Sequence, residues 1–284
     1  MRTPPRILPA LITPFDENGG IDPVAFRRNL RILFDRGVTG FLIGGSTGEG
    51  PYLEPDERRA LVDLARDELG NEAFLLCGVS GESTRVAMEQ IAEAVVARAD
   101  AVLVMTPTSL VRGRHELVAG HFLDVADASP LPVLVYTVPP VTGYELPTET
   151  VIEVADHPNV VGMKDSGGDV SRIPPLRELI DGGFVLYCGA SRAVAESLHL
   201  GAYGAITASA NYAFSLLERI LATGVGQDDL TALTTVVERH GIPGTKAAAQ
   251  SAGLEPGQVR RPLRPITDDD RSVIAAAVRA AGLP

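Results

Sequence analysis

The sequence predicts an α/β fold: a (β/α)8 TIM barrel with a C-terminal helical extension. Three observations carry that expectation. Short apolar runs alternate with amphipathic, helix-like stretches from one end of the chain to the other. There are eight such runs, and their starts fall roughly 28 residues apart, the size of one strand-plus-helix unit. Several runs are apolar throughout (FLLC, VLVM, VLVY) instead of alternating, as strands buried on both faces are. Eight βα units close into a barrel.

In chain order the strands are expected at Ile7–Thr13, Val38–Gly44, Phe74–Val79, Ala101–Met105, Val133–Tyr136, Val160–Lys164, Phe184–Tyr187 and Ala205–Thr207. The first run follows a basic start but is interrupted by Pro4, Pro5 and Pro9, so it reads as a strand and not as a signal peptide. Between strands, Asp56–Leu69 places Leu61, Leu64, Ala65 and Leu69 inward and Arg58, Arg59, Asp63 and Glu68 outward. Ser83 caps the next helix, whose apolar stripe is Val86, Ile91, Ala94 and Val95. Gly37, Gly70 and Gly182 stand where helices should stop. The barrel, residues 1–222, is followed by an extension over 223–284. It has helices near Asp228–His240, Thr245–Ser251 and Asp268–Ala281, separated by Gly-Ile-Pro-Gly (241–244) and a Pro-rich stretch from Glu255 to Pro265. An open doubly wound sheet is the competing fold, but its early GxGxxG signature is missing.

Composition narrows the function. The chain has 284 residues, 45% hydrophobic, enough to bury a large core. No apolar run reaches the roughly 18 residues of a membrane span. A net charge of −11 repels nucleic-acid phosphates and anionic lipid, so neither is an expected partner. Cys77 and Cys188 lie in apolar runs, as free thiols of a cytoplasmic protein do. The five histidines are scattered, with no ligand spacing and no CxxC, so neither a metal nor another cofactor is expected. His115 and His121 share a helix but point to different faces, in surface or capping roles.

The 25 basic residues include only two lysines, Lys164 and Lys246; the rest are arginine. Arginine supplies surface charge as well, but it does not lose its proton to become an amine nucleophile. Lys164 ends the sixth strand, where desolvation frees an amine to attack a carbonyl and form a Schiff base. The competing role is a lysine paired with Asp165 or Asp169. Tyr136 ends the fifth strand, where a phenol relays protons or is a core tyrosine. After the second strand, Gly44–Gly50 (GGSTGEG) offers backbone N–H groups and two hydroxyls to a small carboxylate, with Glu49 bracing the loop. In a barrel these three strand ends share one mouth. Gly167-Gly168-Asp169 reads as a turn and helix cap.

Together GGSTGE, VLVYTVPPVTG and VVGMKDSGGD resemble the dihydrodipicolinate synthase / N-acetylneuraminate lyase superfamily, over essentially the whole chain. The resemblance implies a class I, pyruvate-dependent aldolase or synthase, a homotetramer or homodimer acting on a small 2-oxo acid (pyruvate with an aldehyde). It implies Lys164 as the Schiff-base lysine, Tyr136 and Thr47 as the proton relay, and Gly45, Ser46, Thr47, Ser166, Gly189 and Ile206 as substrate-binding residues. Within the superfamily, VVGMKDSGGDVSRI, TVPPVTGYELP and HGIPGTK look most similar to 4-hydroxy-2-oxoglutarate aldolases. Dihydrodipicolinate synthases have an arginine where this chain has Val141, and a tyrosine after the Thr-Pro of strand four, where it has Thr108-Ser109-Leu110. Arg112 and Arg114 lie just beyond; they are expected to be exposed, helix-start residues, with binding of a second carboxylate as the alternative. The aldolase therefore stands first and the synthase, or a related 2-oxo-acid synthase or dehydratase, second; a non-catalytic regulatory barrel comes last.

Overall fold

The computed structural model describes residues 2–54 and 56–283. Eight parallel strands form one sheet in the order β1-β8-β7-β6-β5-β4-β3-β2. They are β1 (Ile7–Pro9), β2 (Gly40–Ile43), β3 (Phe74–Val79), β4 (Ala101–Met105), β5 (Val133–Thr137), β6 (Val160–Asp165), β7 (Val185–Cys188) and β8 (Gly204–Thr207). The ring closes between β1 and β2. There Ala10 bridges to Leu42 in parallel, and the Leu11 N–H donates to the Leu42 carbonyl at 2.9 Å. The chain from Ile7 to Thr13 thus leaves the ladder with β8 after Pro9, because its next residues carry the seam to β2.

The helices are α1 (Pro23–Asp35), α2 (Glu57–Leu69), α3 (Thr84–Val96), α4 (His115–Ala128), α5 (Pro139–Thr142), α6 (Thr148–Ala155), α7 (Arg177–Asp181), α8 (Val194–His199) and α9 (Phe214–Thr223). The extension adds α10 (Gln227–Glu238), α11 (Gly241–Ser251) and α12 (Asp268–Ala280). Period-two alternation divides the core. Leu8, Leu42, Leu103, Leu134, Tyr136, Tyr187 and Ile206 fill the barrel interior. Their neighbours, such as Phe41, Ile43, Val102, Val135 and Met163, pack outward against helices. A further cluster joins β7 and β8 to α9–α12 through Leu217, Ile220, Leu233, Val237, Ala248 and Ile274.

Caps follow the expected chemistry. Ser83 accepts from the Val86 N–H at the start of α3, and Asp169 accepts from the Ser171 N–H. Four expectations need correction. Arg58 points inward and is buried, because three backbone carbonyls await its guanidinium. Val95 is exposed and Ala87 is buried, since α3 is rotated to bring its smaller residues onto the barrel. His121 is buried, not superficial; its Nδ1 pairs with the Thr84 hydroxyl, whereas His115 stacks on Tyr144. Gly-Ile-Pro-Gly opens α11 instead of separating helices, which a proline in the first turn permits. Among the described residues no helix is long and apolar enough to cross a membrane.

Candidate active site

The carboxyl ends of β2, β5 and β6 meet at one mouth. Tyr136 and Lys164 are register partners across β5 and β6, and each is 4% exposed. Both side chains point into the barrel. Lys164 Nζ lies 4.5 Å from the centre of the Tyr136 ring. Asp165, next in sequence, points outward and is taken by Arg172 Nε at 2.9 Å. Asp169 is occupied by its cap to Ser171. Lys164 enters none of the ion pairs formed among the described residues, so the paired-lysine alternative fails here.

The Tyr136 hydroxyl lies 3.2 Å from Ser46 Oγ. The hydroxyl that meets the tyrosine is therefore that of Ser46 and not that of Thr47, the relay residue expected from the motif. Two adjacent hydroxyls in a turn face different ways, and sequence alone does not say which one faces inward. Thr47 is half-buried beside it. The loop amides of Ser46 and Thr47 donate to no backbone acceptor among the described residues, whereas Glu49 N–H donates to Ser46 O and Gly50 N–H to Gly45 O. Two free donors on a glycine-lined turn suit a carboxylate.

The remaining expected site residues gather here as well. Gly189 faces Lys164: a Cβ there would stand 2.8 Å from Lys164 Cε and collide with Ser166 Oγ. Ile206 is fully buried in the same interior layer as Tyr136. Gly45 lies against Leu42, with no room for a side chain. Val141, on α5, is 65% exposed and offers no donor. Arg112 is exposed, and its guanidinium lies beside Gly143.

Arg58 was missed by sequence reasoning. It donates to Gly44 O at 3.4 Å, Gly50 O at 3.1 Å and Gly78 O at 3.0 Å, and so holds both ends of the GGSTGEG loop. Gly78 is a glycine because a Cβ there would stand 2.5 Å from Gly44 O. Thr13 donates to Gly48 O at 2.7 Å from the β1 side. Among the described residues no three His, Cys, Asp or Glu side chains gather as metal ligands. Cys77 is buried and its thiol is pushed up to about 11 by burial. Burial also raises Cys188, so neither is primed as a nucleophile.

The chain matches the dihydrodipicolinate synthetase family over residues 3–281, and it belongs to that family. Its members are Schiff-base carbon–carbon lyases and synthases, and this chain is an enzyme of that type. It is 34% identical to 4-hydroxy-tetrahydrodipicolinate synthase 1 of Streptomyces coelicolor, over 98% of this chain and 93% of the relative. It is 33% identical to the 4-hydroxy-tetrahydrodipicolinate synthase of an Exiguobacterium species, over 95% of each. Among solved structures it is similar to the chloride-inhibited dihydrodipicolinate synthase of Acinetobacter baumannii complexed with pyruvate. That match has a TM-score of 0.92, 27% identity, and coverage of 99% of this chain and 100% of the other. A prophage protein of the dihydrodipicolinic acid synthase family from E. coli, in complex with pyruvate, gives a TM-score of 0.90 at 26% identity, with 98% of each chain covered. The name these curated relatives carry is the synthase's, not that of the hydroxyoxoglutarate aldolase which the motif likeness puts first.

Proposed function

We propose that this enzyme activates pyruvate as an imine on Lys164 and makes or breaks a carbon–carbon bond at the pyruvate methyl carbon. One observation carries the proposal. The only lysine amine in the barrel interior among the described residues stands against Tyr136, whose hydroxyl is already in contact with Ser46. In this mechanism the Lys164 amine adds to the ketone of a 2-oxo acid whose carboxylate sits on the Ser46 and Thr47 amides. Tyr136 returns a proton to the carbinolamine oxygen, which leaves as water. The iminium draws the electron pair of a C3–H or C3–C4 bond into an enamine; a C3 proton passes to the Tyr136 oxygen, which has just given its own to the departing water. The enamine then attacks an aldehyde, or in the reverse direction is left behind by one. Tyr136 gives or takes the proton of the resulting hydroxyl, with Ser46 as its hydrogen-bond partner. The buried mouth and fixed donors supply position and electrostatic stabilisation.

Two finer readings follow. The relatives' names support the first, a 4-hydroxy-tetrahydrodipicolinate synthase; in that reading the enamine attacks aspartate semialdehyde. Val141 and the absence of a tyrosine at Thr108–Leu110 favour the second, cleavage of a 4-hydroxy-2-oxo acid such as 4-hydroxy-2-oxoglutarate. An unpaired carboxylate in a partly dry site costs a few kcal/mol, roughly 10²-fold in rate. Side-by-side rates of the two reactions with the purified enzyme decide between them. The common step has its own test: pyruvate with borohydride adds irreversibly to one lysine, and peptide mapping finds Lys164. Labelling at Lys246, or no labelling, overturns the imine. The same proposal includes a homotetramer or homodimer, and sedimentation as a monomer would remove that part.

A further inference from the structure

The other lysine has no place in that chemistry, yet it is as buried as the first. Lys246, on α11, is 4% exposed and contacts the fully buried Glu49 Oε1 at 2.7 Å. Glu49 sits in the GGSTGEG loop with φ +57°, in the left-handed region that a non-glycine residue adopts only when its surroundings hold it there. Its other oxygen accepts the Arg260 backbone N–H at 2.7 Å. Lys246 also donates to the Gln258 carbonyl, and its ammonium faces the Phe15 ring at 4.9 Å. The Arg260 guanidinium, of the same sign as Lys246, also lies over Phe15 at 4.1 Å and is taken up by Glu57 at 2.6 Å. Burial pulls Lys246 below the ordinary lysine range while the Glu49 carboxylate opposes that fall.

A lone carboxylate or ammonium at such depth is strongly disfavoured, so each of the two charges is held in place by the other. Glu49 is three residues from Ser46, and its own N–H donates to Ser46 O at 3.0 Å. Moving Glu49 therefore moves Ser46, which must meet Tyr136. We infer that Lys246 and Glu49 are positioning residues: their buried ion pair lets the C-terminal extension set the Ser46-Thr47 turn against Tyr136 and the bound 2-oxo acid carboxylate. The inference rests on the proposed imine chemistry.

The experiment measures borohydride trapping of pyruvate on Lys164 as a function of pyruvate concentration. The wild type, Glu49→Gln, the double variant Glu49→Gln/Lys246→Met, and Ile274→Ala are compared, each checked for folding by circular dichroism. Ile274→Ala leaves a cavity in α12 and so weakens the same extension without touching the pair. In Glu49→Gln the pyruvate concentration for half-maximal trapping rises about 10-fold or more, as expected for a displaced binding turn, while in Ile274→Ala it stays at the wild-type value. The double variant leaves no lone buried charge, carries the same expectation, and decides the matter if Glu49→Gln does not fold. Wild-type pyruvate dependence in the folded Glu49 variants would overturn the inference, as would an equal shift in Ile274→Ala. A wild-type enzyme that is not trapped at Lys164 would instead overturn the imine itself.

Discussion

The end of β6 and the middle helix of the extension each bury a single lysine to the same 4% exposure, and the surroundings of the two differ sharply. Lys246 is met by a carboxylate, a carbonyl and an aromatic face. Lys164 is met by the Tyr136 ring, while the one carboxylate beside it in sequence belongs to Arg172. Burial alone does not make a lysine reactive. What matters is whether the surroundings satisfy the ammonium or leave the amine free to react. In a chain that otherwise uses arginine, both lysines sit in the interior, one in a tight ion pair and the other as the amine of the proposed imine.

This contrast breaks or sharpens under substitution. The largest expected effect is on activity at the first site: Lys164→Ala should lower the rate about 10³-fold or more in a pyruvate-coupled assay. Its unfolding midpoint in urea should stay close to wild type, since no ion pair is lost. A folded Lys164→Ala enzyme with substantial residual turnover would erase the distinction between the lysines. The second site should respond the other way round in stability. Lys246→Met leaves Glu49 buried and alone, and denaturant unfolding should report a loss of about 3–5 kcal/mol. Arg58→Met, on the third support of the same loop, leaves three carbonyls without their donor and should cost about 3 kcal/mol by the same measurement.

The smallest effect concerns the carboxyl of Glu238, on α10. It accepts from the Ser191 hydroxyl at 2.7 Å, and burial raises it above the usual carboxylate range. A group raised in the folded state holds its proton longer there than in the unfolded chain. Its stabilising share is therefore complete at low pH and is lost as pH rises through the folded value. Glu238→Gln should raise Tm by roughly 2 °C at pH 8 and leave it unchanged at pH 4, read by thermal melts at both values. An equal gain at both pH values would show packing, not charge, at work.

Much of this was legible in the residues. The eight strands were visible because a parallel sheet buried on both faces needs unbroken apolar runs, and FLLC, VLVM and VLVY are such runs. Lys164 and Tyr136 were visible because each closes its run. What stayed hidden is polar and long-range. Amphipathic patterning sends every arginine outward and so assigns Arg58 to solvent, although carbonyls of Gly44, Gly50 and strand β3 face it. The choice between Ser46 and Thr47 depends on the twist of one turn, which composition does not encode. Glu49 was expected to brace its loop, but its partner lies in the extension, beyond the reach of any local pattern.

The pairing of the first strand with the last bears on the making of the protein. Strand β1 leaves the ribosome first but pairs with β8, and Asn211 reaches Ala10 across 201 residues of chain. The Arg260 N–H reaches Glu49 across 211. During synthesis, then, Lys164 and Tyr136 emerge long before the neighbouring Gly44–Gly50 loop gains its contacts from the extension. Contacts so distant in sequence form late and slow the search for the native state. A nascent chain halted ahead of residue 246 would carry Lys164 and Tyr136 and still lack both contacts that the extension makes to Glu49.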